Sequence, residues 1–183
     1  MIEQFKQWLL EVQDAALEEK KEKAEKQGDA SQWKKQIWKS PEKNRAIKAK
    51  FRDEGAQLGY RSRPSYKTGA REWLYDFVWR KFDDENHLQE VVLAMEIEMS
   101  DRNMRSLMLD FTKLFQSDAS YKVFVFQFKT EDEVGAAMEH FIQSAQRYKT
   151  KIPAQMLLCG WSTSLNRFLF SDFKMGSPAL TVE

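Results

Sequence analysis

Residues 89–99 form an apolar run that is broken near its end by two glutamates one residue apart, Glu96 and Glu98. In an extended chain successive side chains point to opposite faces. Val91, Leu93, Met95, Ile97 and Met99 then share one face, while Val92, Ala94, Glu96 and Glu98 share the other, with the two carboxylates about 7 Å apart. A further acid, Asp76, stands in the preceding β-rich run, 71–81, where Trp73, Tyr75, Phe77 and Trp79 alternate with Glu72, Leu74, Asp76 and Val78. A pairing that puts Asp76 on the Glu96 face would bring up to three carboxylates together. Acids that close raise one another's proton affinity unless a cation neutralises them. Mg²⁺ (or Mn²⁺) suits such a group, because a hard ion of this kind takes one or two carboxylates and keeps several waters. The competing reading puts each acid on a solvent-exposed sheet face.

Other chemistries find less support. Cys159 is the only cysteine, and the two histidines, His87 and His140, are far apart in sequence, so neither a disulfide framework nor a Cys/His zinc site can be assembled. Any metal must be held by oxygen. No serine or cysteine is paired with a histidine in a triad-like arrangement. The seven glycines are scattered singly, which excludes a phosphate-cradling loop. Cys159 lies in an apolar run and reads as a small buried hydrophobe.

The elements that must position the acids follow from periodicity. Ile2, Phe5, Leu9, Val12 and Ala16 recur at spacings of three and four, which predicts a long amphipathic helix ending near Gly28, with only its first half able to bury a face, against the body of the domain or another copy. Ser40-Pro41 reads as an N-cap and a first-turn proline, opening a helix that runs to about Glu54 and stops at Gly55. A weak edge strand, interrupted by Pro64, is expected near 60–66. The runs 71–81 and 89–99 flank the turn-like Asp83-Asp84-Glu85-Asn86 and read as an antiparallel hairpin. Ser100 is expected to cap a helix carrying Met104, Leu107, Met108, Phe111, Leu114 and Phe115 on one stripe. Residues 121–128 read as a strand covered on both faces. Thr130 and Glu133 make a capping box before a helix, and 155–161 and 167–173 make a late hairpin. The fold class expected is α/β, a mixed central sheet flanked by helices.

With 183 residues, 42% hydrophobic and including 13 Phe, 6 Trp and 5 Tyr, the chain can fill one core. It divides into an N-terminal helix and basic arm (1–39), an α/β domain (40–175) and a short tail (176–183). No stretch approaches the roughly 18 apolar residues that cross a bilayer, and the first residues lack a signal-peptide apolar region. A soluble, cytoplasmic protein without membrane contact is the expectation. The net charge of +1 hides a basic region, since 20–71 carries 16 Lys/Arg against 6 Asp/Glu. Such a surplus favours a polyanion. Within it, Trp33 and Trp38 are interleaved with Lys34, Lys35 and Lys39, as on a surface that stacks on bases and neutralises phosphates; core anchors flanked by solvated lysines fit equally well. Lys34, Lys35, Lys39, Arg61 and Arg63 are the candidate DNA-backbone contacts. A homodimer through the N-terminal helix is the other partner expected.

Four segments carry a resemblance. Arg71-Glu72-Trp73-Leu74-Tyr75-Asp76-Phe77, then Leu93-Ala94-Met95-Glu96-Ile97-Glu98, then Leu109-Asp110-Phe111-Thr112-Lys113-Leu114 with the strand from Tyr121 resemble the PD-(D/E)XK nuclease superfamily, the restriction-endonuclease-like fold, over residues 41–128. That superfamily has a core of helix, three strands, helix and strand, with an acid on the second strand and an acid-x-lysine triplet on the third. The resemblance implies Asp76 as the first acid, Glu96 as the second, and Glu98 where the lysine usually stands. No proline precedes Asp76, and the triplet is the acid-x-acid variant. In some relatives a lysine from the following helix takes over, which makes Lys113 the candidate. At about 100° per residue, Lys113 lies nearly opposite the Met104/Phe111 stripe and 60° from Asp110, so a solvated Asp110/Lys113 pair competes with that role. The implied activity is metal-dependent hydrolysis of DNA phosphodiesters. The alternative is a catalytically inactive member of the fold, acting in nucleic-acid binding or protein assembly.

Overall fold

The computed structural model describes residues 1–28, 38–65, 74–150 and 152–176. Helix α1 spans Ile2–Lys26 and α2 spans Ser40–Gln57; they are followed by strands β1 (Arg61–Arg63), β2 (Phe77–Phe82) and β3 (Leu88–Glu98). Then come α3 (Met104–Lys113), a 3₁₀ turn (Leu114–Gln116), β4 (Tyr121–Phe128), α4 (Glu131–Arg147), β5 (Ala154–Ser162) and β6 (Arg167–Met175). The six strands form one mixed sheet in chain order. β1, β2 and β3 are antiparallel neighbours, β3, β4 and β5 run parallel, and β6 folds back on β5. The α/β expectation holds. No described helix is long and apolar enough to cross a membrane.

Two cores make this a three-layer arrangement. On one face Phe5, Leu9, Ile47 and Phe51 of α1 and α2 pack against Phe77, Trp79, Met95, Val123 and Cys159 of the sheet. On the other, Leu107, Phe111, Val134 and Phe141 of α3 and α4 cover Ala94, Phe124, Phe126 and Leu158. β4 is therefore buried on both sides, as its unbroken apolar run requires. The apolar stripe of α1 is taken up by its own chain's sheet. Its first turns seat Phe5 within 5.3–5.6 Å, ring centre to ring centre, of Trp8, Phe51, Trp79 and Tyr121. Gly28, with φ +84°, follows the end of α1. Residues 29–37, which hold Trp33, Lys34 and Lys35, lie outside the described residues, as do 66–73 and 177–183. Trp38, at the end of the basic arm, is a core anchor, its ring 5.2 Å from that of Trp161.

Four local expectations are corrected. Ser40 does not cap α2: its hydroxyl donates to the Met99 carbonyl at 2.5 Å and so ties the helix start to the end of β3. The helix runs through Gly55 to Gln57, because Gly55 is where α2 meets the Trp79 indole, which donates to the Phe51 carbonyl at 2.9 Å. A Cβ there would collide with the indole nitrogen and lie 2.6 Å from Cε2. Gly55→Ala is expected to cost about 2–3 kcal/mol, overpacking outweighing the gain in helix propensity; a melting temperature equal to or above wild type would contradict this contact. Ser100 does not cap α3, which begins later with Asn103 accepting from the Arg105 amide. Finally, strict alternation fails at Val91 and Val92. Trp79 faces Leu93 while Arg80 faces Val91, so a β-bulge leaves Val92 as the extra residue and turns it into the α1/α2 core.

Candidate active site

The hairpin register decides whether the acids meet. Phe77 is the partner of Met95, which places Asp76, one residue before β2, beside Glu96. Asp76 Oδ2 accepts the Ile97 amide at 2.7 Å, closing the ladder at that point with a side chain in place of a carbonyl. Both acids open onto a cleft of about 740 Å³ at the C-terminal end of β3, overhung by α2 from one helical layer and α3 from the other. This cleft also receives Glu98, Asp110 and Lys113, together with Arg45, Lys48 and Arg52 of α2.

The acids differ in what holds them. Glu98 is bound into the turn after β3: its Oε1 accepts from the Ser100 amide and hydroxyl and from the Asp101 amide at 2.6–2.8 Å. Asp76 lies 3.7 Å from the Lys48 ammonium. Glu96 is the buried one, 3% exposed, and its Oε1 has no hydrogen-bond partner among the described residues. Burial, then the charge of Asp76, push its carboxyl up to about 8, with Lys113 opposing and Asp110 adding to the shift. Such an acid is held neutral near pH 7 unless a cation joins it. Lys113 Nζ sits 2.6 Å from Asp110 and 3.6 Å from Glu96 Oε2. The Asp110 hydrogen bond and the nearby acids raise its pKa, so it stays an ammonium. The surface pair with Asp110 and the approach to Glu96 thus coexist.

A divalent cation makes specific demands on the donor set. Among the described residues no group of three His, Cys, Asp or Glu side chains could hold an ion alone. Mg²⁺ or Mn²⁺ does not need one, since two carboxylates, waters and substrate oxygens suffice. Asp76 and Glu96 supply two hard oxygen donors side by side, and the unpartnered Glu96 oxygen is the kind of group such an ion satisfies. The residues fit that class of cation.

The proposed backbone contacts divide. Lys34 and Lys35 lie outside the described residues, Lys39 is exposed just before α2, and Arg61 and Arg63 lie on β1. Missed from sequence were Arg45, Lys48 and Arg52, whose spacing of three and four sets them along one side of α2 facing the cleft. That periodicity is visible in the chain; that the acids lie opposite it is not.

A second buried charge lies nearby. Lys43 is 3% exposed, donates to Gln127 Oε1 at 2.8 Å, and has its ammonium 5.0 Å from the centre of the Trp161 ring. Burial and Arg102 push its pKa down to about 8, with Glu42 opposing. Between that value and the unfolded value near 10.5 the unfolded chain holds the extra proton, so Lys43 makes stability rise with pH across this window. Lys43→Met keeps the stem and removes the charge. The variant is expected to gain on wild type by up to about 3 kcal/mol below pH 8, the advantage shrinking toward pH 10.5. Urea denaturation at pH 7 and pH 10 checks this, and a pH-independent difference would contradict it.

Searches with family models, against curated proteins and against solved structures return no match for this chain.

Proposed function

We propose that the chain is a metal-dependent nuclease, hydrolysing DNA phosphodiesters in the cleft at the end of β3. The observation that carries this reading is Glu96, buried beside Asp76 with an unpartnered oxygen and a raised pKa, on the wall of a cleft whose opposite side is cationic. A structural carboxylate would have been given donors. Further support comes from the order α2, β1, β2, β3, α3, β4, which reads helix, three strands, helix, strand, with one acid at the second strand and one on the third. This is the order of a restriction-endonuclease-like core.

Asp76 and Glu96 would hold the ion, Mg²⁺ or Mn²⁺. When bound, it supplies a hard positive charge that polarises a phosphodiester and makes water more acidic. The Ile97 amide fixes Asp76 in place. To hold such an ion Glu96 would have to be in its ionised form, so its carboxyl proton would pass to water. Lys113 is too basic to accept a proton at neutral pH; it acts as a fixed positive charge, held by Asp110, for a phosphate oxygen that gains charge in the transition state. Arg45, Lys48 and Arg52 bind backbone phosphates without reading bases. Glu98 keeps the turn after β3 in place.

A second reading, a nucleic-acid-binding or assembly protein that has lost catalysis, draws on the engagement of Glu98 in that turn. One experiment separates the two: purified protein is incubated with plasmid and linear DNA in Mg²⁺ or Mn²⁺, with a chelator control. Cutting that the chelator abolishes supports the nuclease. DNA retained but uncut in either metal favours the second reading.

A further inference from the structure

The sheet ends in two unlike edges. β1 is three residues long and runs into Pro64, a blunt edge of the kind that resists pairing. β6, at the other end of the strand order, is nine residues long, contains no proline and follows β5 without a bulge. Among the described residues no strand covers its outer side.

Two hydrogen bonds show which backbone groups of β6 face outward. The Gln155 backbone amide of β5 turns toward β4, donating to the Ser120 carbonyl at 2.9 Å, so the even-numbered residues of β5 bond to β6. Their partners are Arg167, Leu169, Ser171, Phe173 and Met175. Phe168 agrees, its backbone amide pointing away from β5 to the Gln13 side chain of α1 at 2.8 Å. By the same alternation Phe170, Asp172 and Lys174 direct their N–H and C=O groups outward. Gln13 covers only the first donor of this row.

A second copy laid antiparallel on this edge matches open groups only when even-numbered residues stand opposite even-numbered ones. Centred on Asp172 or on Lys174, the pairing sets like charges opposite each other, which is destabilising. Centred on Ser171, it needs the Phe168 amide that Gln13 holds. Centred on Phe173, it sets Asp172 opposite Lys174 of the second copy on both sides of the axis. Phe173 then meets its own copy in a close, non-hydrogen-bonded pair. Glu3, Lys6 and Asp172 already form a chain of contacts at 2.7 and 2.6 Å, with Lys6 on Asp172 Oδ1. The exposed Lys174 has no carboxylate partner among the described residues and continues the alternation of sign. Charged side chains keep a sheet edge from pairing indiscriminately. These two exclude the neighbouring two-fold registers and favour one.

We propose that β6 is a dimer interface, at which a second copy of this chain adds its own β6 antiparallel and the two sheets join into one. The partner is met by the sheet edge and not by the apolar stripe of α1, which its own core occupies. Pairing at β6 is independent of the chemistry in the cleft.

Sedimentation equilibrium tests this by following mass from about 1 to about 100 µM. Wild type is expected to rise from 21.6 kDa toward twice that value. Lys174→Glu and Asp172→Lys each set like charges opposite and are expected to associate about ten-fold more weakly or worse. An equimolar mixture of the two restores opposite charges on both sides of the axis and is expected to regain wild-type association. Melting temperatures check that each variant is folded. Asp172→Lys also loses its Lys6 partner; should it fail to fold, Lys174→Pro takes its place, because β5 does not use the Lys174 amide and only the outer ladder loses a donor. A folded, monomeric Lys174→Pro supports the same interface. Wild type that stays at 21.6 kDa overturns the proposal, leaving the edge guarded by its charges or open to an extended segment of another protein. Single variants that dimerise as wild type does overturn it too, by moving the contact elsewhere on the chain, as does a mixture that stays monomeric.

Discussion

Glu96→Gln is expected to lower metal-dependent DNA cleavage by about 10³-fold or more, because it removes a charged ligand from the floor of the cleft while keeping its shape. The same change should leave the protein folded, and in EDTA at alkaline pH more stable than wild type. The sign follows from the carboxyl's displacement to about 8 in the folded state from 4.5. Between those values the folded protein holds a proton that the unfolded chain has released, so stability falls as pH rises through the window. Glutamine has no proton to lose. The variant's advantage should be under about 1 kcal/mol at pH 5 and reach about 5 kcal/mol at pH 8.5, an order-of-magnitude figure from the size of the shift. Thermal melts at the two pH values read this directly. Wild-type cleavage by the variant would remove Glu96 from the mechanism, and equal melting shifts at both pH values would mean that it is not buried as a charge-sensitive acid.

Phe5→Ala should be the most damaging single truncation in α1. The ring is fully buried and touches four aromatic rings contributed by α1, α2, β2 and β4. Removing it leaves a cavity that rigid neighbours cannot close, for a cost of about 4 kcal/mol and a fall in melting temperature of roughly 8–16 °C. Phe5→Leu, which keeps most of the volume, should cost under about 2 kcal/mol. A loss below 1 kcal/mol in Phe5→Ala would show that α1 does not contribute to the core. This contact also bears on the N-terminal helix as an interface, since its apolar stripe already serves the sheet of its own chain.

Much of the architecture was legible because apolar periodicity is a local property. Phe5 and Leu9 announce a helix, the unbroken run from Tyr121 announces a doubly covered strand, and Thr130 with Glu133 announces a helix start, with the Glu133 carboxylate accepting the Thr130 amide at 2.8 Å. The partnership of Asp76 with Glu96 was readable only as a condition on register, which cross-strand pairing then met. What escaped depends on tertiary choices. Ser100 and Asn103 are both good caps, and Ser100 was unavailable because Glu98 had already engaged its amide and hydroxyl. The bulge at Val92 leaves no mark in composition. A helical wheel gives the direction of Lys113 and not the reach of its four-carbon stem, which brings the ammonium within 3.6 Å of a buried acid from a half-exposed position. The cationic side of α2 needed two layers to be set side by side before its charges could be seen to face the acids.

The most direct test of the cleft as a metal-dependent site is calorimetric titration of Mn²⁺ into wild type and Glu96→Gln at pH 7.5. Saturable binding in the millimolar range or tighter, weakened at least ten-fold in the variant, is the predicted result. No binding by folded wild type, or binding that the variant leaves unchanged, would contradict it.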